Sequence, residues 1–442
     1  MSLIILERIR QPVDAFLSPS HSGFRSGRSC ADVVWAHRWL IAKTLRYKVV
    51  VNILGIDMSR AFDTIDRAKL LKILESIDGL KEDDRRLIRV MLSNTSLQVQ
   101  FNNILTKPFS SNIGSPQGDG LSPLLFAIYL EAAVRDLLGN SRLKRREVDE
   151  LSRLPETLIY ADDTDFLSFC QDYLDEVLEV VVPLFKNEYK LIVNADKTEK
   201  TRVGHLDMGV DQSAWRGTRK LGSLLGAEED VARRIQLANV SFGKLEALWK
   251  HRSCVAQAIR IKSYRALVES VLLYNCGTWA LSSALADRLD RAQRKMLRKV
   301  IGLTWKHKVT NENLYVMCGC KPASVQVINA RWRLFGHVLR MNENVPARQA
   351  MALYFEGLGK DIKGRQGNFC SIASVLSDDY KKAFNKGIKT KSEYEAVAMI
   401  AQDRVEWKSV VAKVTGVFCE LRGEKITKRR EARKAKEALQ KE

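Results

Sequence analysis

The stretch 158–169, LIYADDTDFLSF, sets two short apolar runs on either side of adjacent aspartates, Asp162 and Asp163. The runs read as the strands of a buried hairpin with the aspartates in its bend. Neighbouring carboxylates repel one another and Asp is a poor strand former. A solvated surface turn would explain the dipeptide taken alone. The apolar flanks count against that reading, because a carboxylate at a buried strand end is costly unless it is paired or bound to a metal ion.

A second such carboxylate ends another run. KVVVNILGIDM, 48–58, reads as a buried strand closing on Asp57. Laid beside the hairpin, it would bring Asp57, Asp162 and Asp163 into one small space. Three like charges there would raise one another's pKa. A pair of Mg2+ ions removes the conflict, since hard oxygen ligands suit Mg2+ and leave other positions for phosphates and water. Two such ions about 4 Å apart clamp the entering and leaving oxygens of an in-line phosphoryl displacement.

The rest of the chain fits a nucleic-acid enzyme. Its 442 residues, 45% hydrophobic, suffice for two or three domains. A formal charge of +20 points to a polyanionic partner. Eight scattered cysteines argue for reduced thiols in an intracellular protein, and Cys318, Cys320, His337 and Cys370 do not match a zinc spacing. No run of 18 apolar residues predicts a membrane span. The opening MSLIILERIRQ is too quickly charged for a signal peptide, and reads as an amphipathic helix with Leu3, Leu6 and Ile9 on one side.

Along the chain, residues 1–46 read as helix, loop and helix, the loop SPSHSGFRSGRSCAD carrying Arg25 and Arg28. Asp66 is the expected N-cap of a helix through Leu70, Leu71, Leu74 and Ile77, followed by a helix near 82–93 and a hairpin turning at Asn102–Asn103. Ser122, Pro123 and Gly139 are the expected N-cap, first residue and stop of the next helix. NSRLKRREVDELSR, 140–153, reads as an exposed charged segment. A helix over 171–190 precedes KLIVNADKTEKTRV, 190–203, which reads as strand, turn, strand. Beyond Gly226 long basic amphipathic helices are expected near 229–250, 256–274 and 283–300, and the last twenty or so residues read as a charged helix or a disordered tail.

GIDMSRAFDTID (55–66), GSPQGDGLSPLLFAIYL (114–130), YADD (160–163), NADKTE (194–199) and KLGSLLG (220–226) occur in this order. They resemble the successive palm motifs of a reverse transcriptase of the non-LTR (LINE-type) retrotransposon class. HSGFRSGRS (21–29) resembles its fingers motif, and the stretches 272–305 and 331–341 resemble sequence that follows the polymerase domain in such elements. The similarity covers about residues 15–345, and GRQGN (364–368) resembles a basic tail motif of related sequences.

The resemblance implies an α+β right-hand polymerase, an antiparallel palm sheet with helices on one face and partial fingers, followed by a mainly helical thumb and C-terminal region. The implied domains are fingers and palm over 1–226, thumb over 227–310, and a basic helical region over 311–442. It implies an RNA-directed DNA polymerase (a nucleotidyltransferase) that uses two Mg2+ ions, with Mn2+ as an alternative. Its partners would be an RNA template, a DNA primer and dNTPs, with no membrane, in a ribonucleoprotein of nucleus and cytoplasm. Asp57, Asp162 and Asp163 would be the catalytic carboxylates, Met58 adding a backbone carbonyl to the metals. Phe62 would lie under the incoming sugar and exclude a 2′-hydroxyl. Gln117 and Gly118 would approach the nucleotide, with Lys197 near the leaving pyrophosphate. Arg25, and Arg28 beside it, would pair with triphosphate or template phosphates. Tyr160, Leu221 and Gly222 would steady the primer. Arg233, Arg234, Lys244, Lys250, Arg260, Lys262 and Arg265 would grip the duplex through phosphates.

The usual endonuclease and part of the fingers have no counterpart here, so the resemblance also implies a fragment of a longer polyprotein or a decayed copy. A catalytically inactive nucleic-acid binder stays open on that account. SPQGDGLSPLL also resembles group II intron maturases; AFD in the first motif and the similarity after residue 265 favour the retrotransposon class.

Overall fold

The computed structural model describes residues 2–93, 95–116, 118–143, 154–251, 253–356 and 370–439. The chain divides into two units: Met1–Ala36, Lys43–Gln212 and Glu343–Leu353 form the first, and His37–Ala42, Ser213–Asn342 and Tyr354–Glu442 the second. Gln117, part of the 140–153 segment and the GRQGN stretch lie outside the described residues.

The first unit begins with α1 (Ser2–Phe16), the Ser/Gly-rich loop and α2 (Cys30–Tyr47). Then come β1 (Val51–Ile56), β2 (Met58–Ser59), α3 (Arg67–Glu75), α4 (Glu82–Leu92), β3 (Thr95–Leu97), β4 (Gln100–Phe101), β5 (Ile104–Leu105), β6 (Phe109–Ser111) and α5 (Ser122–Leu138). The hairpin β7 (Thr157–Tyr160) and β8 (Asp163–Ser168) follows, then a helix Gln171–Tyr189, β9 (Ile192–Val193) and β10 (Glu199–Val203).

Four strands make an antiparallel sheet in the order β10-β1-β8-β7. β1 is an inner strand and all six of its residues are buried, which is why it reads as a continuous apolar run rather than an alternating one. α5 is apolar on nearly every side, and packs in one core with α1, α3, α4, β1 and the 171–189 helix. Asp66 caps α3 as expected, accepting from the amides of Ala68 and Lys69. Asn102 and Asn103, both at positive φ, turn the β4–β5 hairpin.

Three local expectations shift. α1 buries Ile5, Ile9 and Val13, an i, i+4 stripe, and leaves Leu3 exposed. Ser122 is the first helical residue of α5 rather than its cap, because its hydroxyl donates to Pro116 O at 2.6 Å and accepts from Ser115 Oγ at 2.7 Å. The strands within 190–203 do not pair with each other: β9 joins β2, and β10 joins β1.

The second unit takes His37–Ala42 of α2 and, after a short helix Gln212–Gly217, the hairpin β11 (Arg219–Lys220) and β12 (Ser223–Leu224), and continues almost wholly as helices. The helix expected at 229–250 breaks into Ala227–Lys244 and Glu246–Lys250. The indole of Trp249 donates back to Phe242 O at 2.9 Å across that break. The 256–274 segment carries a π turn at Arg265–Glu269, and Ser283–Ile301 follows close to expectation. The core holds Tyr264, Leu272, Trp279, Leu289 and Leu297. Of the two readings for the C-terminal tail, the helical one holds, as Arg404–Leu439 is a single helix. Among the described residues no helix is long and apolar enough to cross a membrane.

Candidate active site

The β7–β8 hairpin turns on two residues, Ala161 and Asp162, with Tyr160 paired to Asp163. Ala161 takes φ +56°, a left-handed conformation that disfavours a Cβ and marks a shaped turn. Across the sheet β1 pairs with β8 as Gly55 to Asp165 and Ile56 to Thr164. One residue further, where the ladder ends, Asp57 falls across from Asp163. With Tyr160 paired to Asp163, the continued register makes Tyr160, Asp163 and Asp57 one row along the strand ends, Asp57 following the last paired residue of β1, and Asp162 sits in the bend. Asp57 and Asp162 are half-buried and Asp163 is exposed.

The backbone thus brings the end of β1 and the hairpin bend to the same end of the sheet. The side chains do not form a ready cage, since no three acidic, histidine or cysteine residues among those described stand together as a metal-holding group. Asp57 turns to a cation instead: Lys197 Nζ lies 3.4 Å from its Oδ2. Asn194 ties the two motifs together, its amide donating to Asp57 O at 2.8 Å, while Met58 is buried and pairs with Val193. The donors at hand are carboxylate and carbonyl oxygens, a set that fits a hard divalent cation.

Phe62 is half-buried between two rings. The Phe126 centroid is 4.6 Å away at 32°, and that of Phe24 is 6.4 Å away, edge-on at 82°. The first-motif turn also holds the Gly-rich loop, through Ser115 N to Phe62 O and Gly114 N to Ile65 O, each 2.9 Å. At Gly114 a Cβ would stand 2.8 Å from Asp63 O, so glycine is needed for the close approach. Gly118, at φ +89°, faces open space. Arg67 fixes this loop from inside: it donates to Gly114 O at 2.8 Å, Leu92 O and Ser111 O at 2.6 Å each, and Ile113 O at 3.1 Å. Nothing in DRAKLL, 66–71, distinguishes Arg67 from a surface arginine, so sequence reasoning missed it.

The 20–25 loop runs along β7. Ser22 N donates to Ile159 O at 2.8 Å and Ile159 N to Ser20 O at 3.1 Å. A Cβ on Gly23 would stand 2.4 Å from Ala161 N, so glycine lets the loop meet the hairpin turn. Behind it, buried His21 places Nε2 3.2 Å from Glu131 Oε2. Burial, with Arg25 and Arg135 nearby, keeps the imidazole neutral and lowers its pKa to about 4 despite Glu131. Burial also raises the Tyr160 phenol, with Cys30 and Asp32 adding to the rise.

Several expected ligand-binding cations have other work. Arg25 donates to Asp14 Oδ1 and Ser18 O at 2.7 Å each and to Asp14 O at 3.0 Å, pinning the loop to α1 instead of standing free for a phosphate. Arg28 is half-buried, which with Arg25 lowers its pKa. In the second unit Leu221 and Gly222, at φ +46° and +78°, turn the β11–β12 hairpin. Tyr274 Oη donates to Leu221 O at 3.0 Å, Arg233 donates to Gly222 O at 2.8 Å, and Arg234 donates to the same carbonyl. Buried Arg260 donates to Val300 O, and Arg265 to Cys318 O at 2.9 Å. These four arginines thus brace backbone carbonyls. Lys250 pairs with Glu246 at 3.1 Å, and Lys244 and Lys262 are exposed.

Among solved structures, the chain is similar to the telomerase of Candida albicans in complex with a TWJ fragment of telomeric RNA, at 13% identity, covering 81% of this chain and 58% of that one, with a TM-score of 0.39. It is similar to apo telomerase of Candida tropicalis at 12% identity, covering 80% and 61%, with a TM-score of 0.38. A C-terminally truncated form of the latter matches at 14% identity over 46% of this chain and 41% of that one, with a TM-score of 0.35. The chain thus spans between 41% and 61% of these relatives' length. The family described as reverse transcriptase (RNA-dependent DNA polymerase) matches residues 1–229, a span that holds the carboxylate row, the Gly-rich loop and the β11–β12 hairpin, and the chain belongs to that family.

Proposed function

We propose that the protein is an RNA-directed DNA polymerase of the non-LTR retrotransposon type, extending a DNA primer on an RNA template with dNTPs. The observation that carries this reading is the strand register that sets Asp57 across from Asp163 beside the Asp162 bend, with Lys197 against Asp57. The proposed division follows the sequence: fingers and palm to residue 226, thumb to 310, and a basic helical region beyond.

Held by Asp57, Asp162, Asp163 and the Met58 carbonyl, divalent cations, Mg2+ by preference, would neutralise triphosphate charge and ease deprotonation of the primer 3′-hydroxyl. The chain's own groups do the rest. The primer oxygen bonds to the α-phosphate and pyrophosphate leaves, and Lys197 would give that leaving group a proton. Phe62 would bar a ribose from the sugar site, and Gly118 would border it. Tyr160 and the Leu221–Gly222 turn support the primer. Lys244, Lys262 and, once freed from Glu246, Lys250 meet phosphates. A ribonucleoprotein inside the cell follows from that substrate set.

The test is extension of oligo(dT) on poly(rA) with dTTP and Mg2+ by the purified chain. Extension is expected, and Asp57→Asn and Asp162→Asn are each expected to abolish it. A variant that extends as well as the parent overturns the assignment. The alternative is an inactive nucleic-acid binder. That reading predicts salt-sensitive RNA binding without extension under any divalent ion.

A further inference from the structure

Phe24 has a backbone that its residue type resists. It sits at φ +59°, and its ring is 47% exposed. A bulky side chain in the left-handed region is a true outlier, of the kind that persists only where surroundings over-determine it. The surroundings here do so. Ser22 is hydrogen-bonded to β7 before it, Gly23 lies against the Ala161 turn, and Arg25 after it is anchored to α1 by Asp14 and to the start of the loop by Ser18. The strained residue thus has little freedom to move, and its ring is delivered edge-on to Phe62 at 6.4 Å.

Phe62 needs such a neighbour. Phe126, fully buried in α5, bounds it from the core at 4.6 Å. A half-buried phenyl packed against the core on one side keeps freedom to swing about χ1 and χ2 on the other. Phe24 supplies the second boundary from a different element, in the edge-to-face geometry that aromatic pairs favour. The 20–25 loop, the first-motif turn and α5 are joined in a run of three rings, Phe24–Phe62–Phe126.

We propose that Phe24 is a specificity-determining positioning residue: by bracing Phe62 edge-on it holds in place the ring that excludes a ribose 2′-hydroxyl. The inference rests on the polymerase reading above and adds a residue to it. Phe24 acts through Phe62, and the strain at its backbone is what aims the brace.

The experiment measures kcat/KM for dTTP and for UTP on poly(rA)/oligo(dT), in the parent, Phe24→Ala, Phe24→Gly, Phe24→Tyr and Phe62→Ala. Phe24→Ala and Phe24→Gly are expected to lower the dTTP/UTP ratio about tenfold, mainly through a gain in UTP use, and Phe24→Tyr to keep it. Because glycine suits the left-handed backbone, Phe24→Gly keeps the fold while losing the ring. In a Phe62→Ala background, Phe24→Ala is expected to change the ratio no further. An unchanged ratio in both ring-removing variants overturns the inference, as does an equal fall for dTTP and UTP, which is the signature of a merely structural role. A parent that discriminates against UTP while Phe24→Gly does so equally well overturns this inference alone. A parent that extends with neither nucleotide overturns the polymerase reading and this inference with it.

Discussion

Lys197 closes on Asp57, its Nζ 3.4 Å from Oδ2, across the join between the NADKTE motif and the end of β1. The lysine is 66% exposed and the carboxylate 29%, so the pair adds little to the stability of the fold. In the proposed reaction its value is chemical, as a cation and proton donor beside Asp57. Lys197→Met is expected to slow single-nucleotide incorporation at saturating dTTP about a hundredfold, with a thermal midpoint within about 2 °C of the parent. Lys197→Arg, which keeps the charge but gives up a proton far less readily, should fall between. Rapid-quench measurement of one dTTP addition decides the matter, and parental rates for Lys197→Met would remove this residue from the chemistry.

Gly23 tests how tightly the loop must meet the hairpin. Its missing Cβ would stand 2.4 Å from Ala161 N and 3.3 Å from Ala161 Cα, both backbone atoms. Backbone on both sides leaves no flexible side-chain end to yield. Gly23→Ala is therefore expected to destabilise the protein by about 2–3 kcal/mol, read by urea unfolding. Primer extension should fall further than the loss of folded protein explains, because the displaced group adjoins Asp162. A stability change under about 0.5 kcal/mol would mean that the loop and the turn part easily.

The buried His21 makes stability depend on pH in a stated direction. Its folded-state pKa is lowered from 6.5 to about 4 by burial, with Arg25 and Arg135 adding to the fall and Glu131 opposing it. Between those values the unfolded chain binds a proton that the folded chain does not, so the free energy of unfolding rises with pH there. Stability is fully present above about pH 6.5 and drains away as pH falls towards 4, by about 3 kcal/mol in all. His21→Gln, which cannot protonate, should flatten this part of the urea-unfolding profile. A profile between pH 4 and 7 that is the same in both proteins would show that His21 titrates normally.

Much of the site was legible because strand chemistry writes it locally. Apolar runs ending on Asp57 and flanking Asp162–Asp163 mark both strands and the bend, and the β1–β8 register then brings their ends together. Asp66 and Asn102–Asn103 were legible for the same reason, since a cap and a turn are decided within four residues. What stayed hidden depends on partners far away in sequence. Arg67 reads as an ordinary helix residue until the 111–114 backbone folds over it. Arg234 and Arg260 read as surface cations until a carbonyl reaches them, because an arginine's charge says nothing of whether its fork meets a phosphate or a peptide oxygen. The separate partners of β9 and β10 were hidden too: adjacency suggested a hairpin, and only β1 and β2 show where each strand belongs.

The Leu221–Gly222 turn offers a case where stability and function should move in opposite directions. Both residues are at positive φ, the pattern of a two-residue hairpin loop that favours Asn-Gly. Leucine in the first position is strained by about 1 kcal/mol or more, and the Tyr274 hydroxyl and the Arg233 and Arg234 guanidinium groups hold the turn's carbonyls in place. Leu221→Asn keeps the backbone and relieves the strain, so unfolding in urea should require about 0.5–1 kcal/mol more. A strained leucine at a turn tip is retained where its side chain has work to do, and here that work is proposed to be contact with the primer. The same variant should then raise the KM for oligo(dT)/poly(rA) several-fold, leaving the KM for dTTP alone, since uniform binding to one substrate is what has been lost. Were stability to rise with no change in the primer KM, the hairpin would be a scaffold and the primer contact would have to be sought on another element.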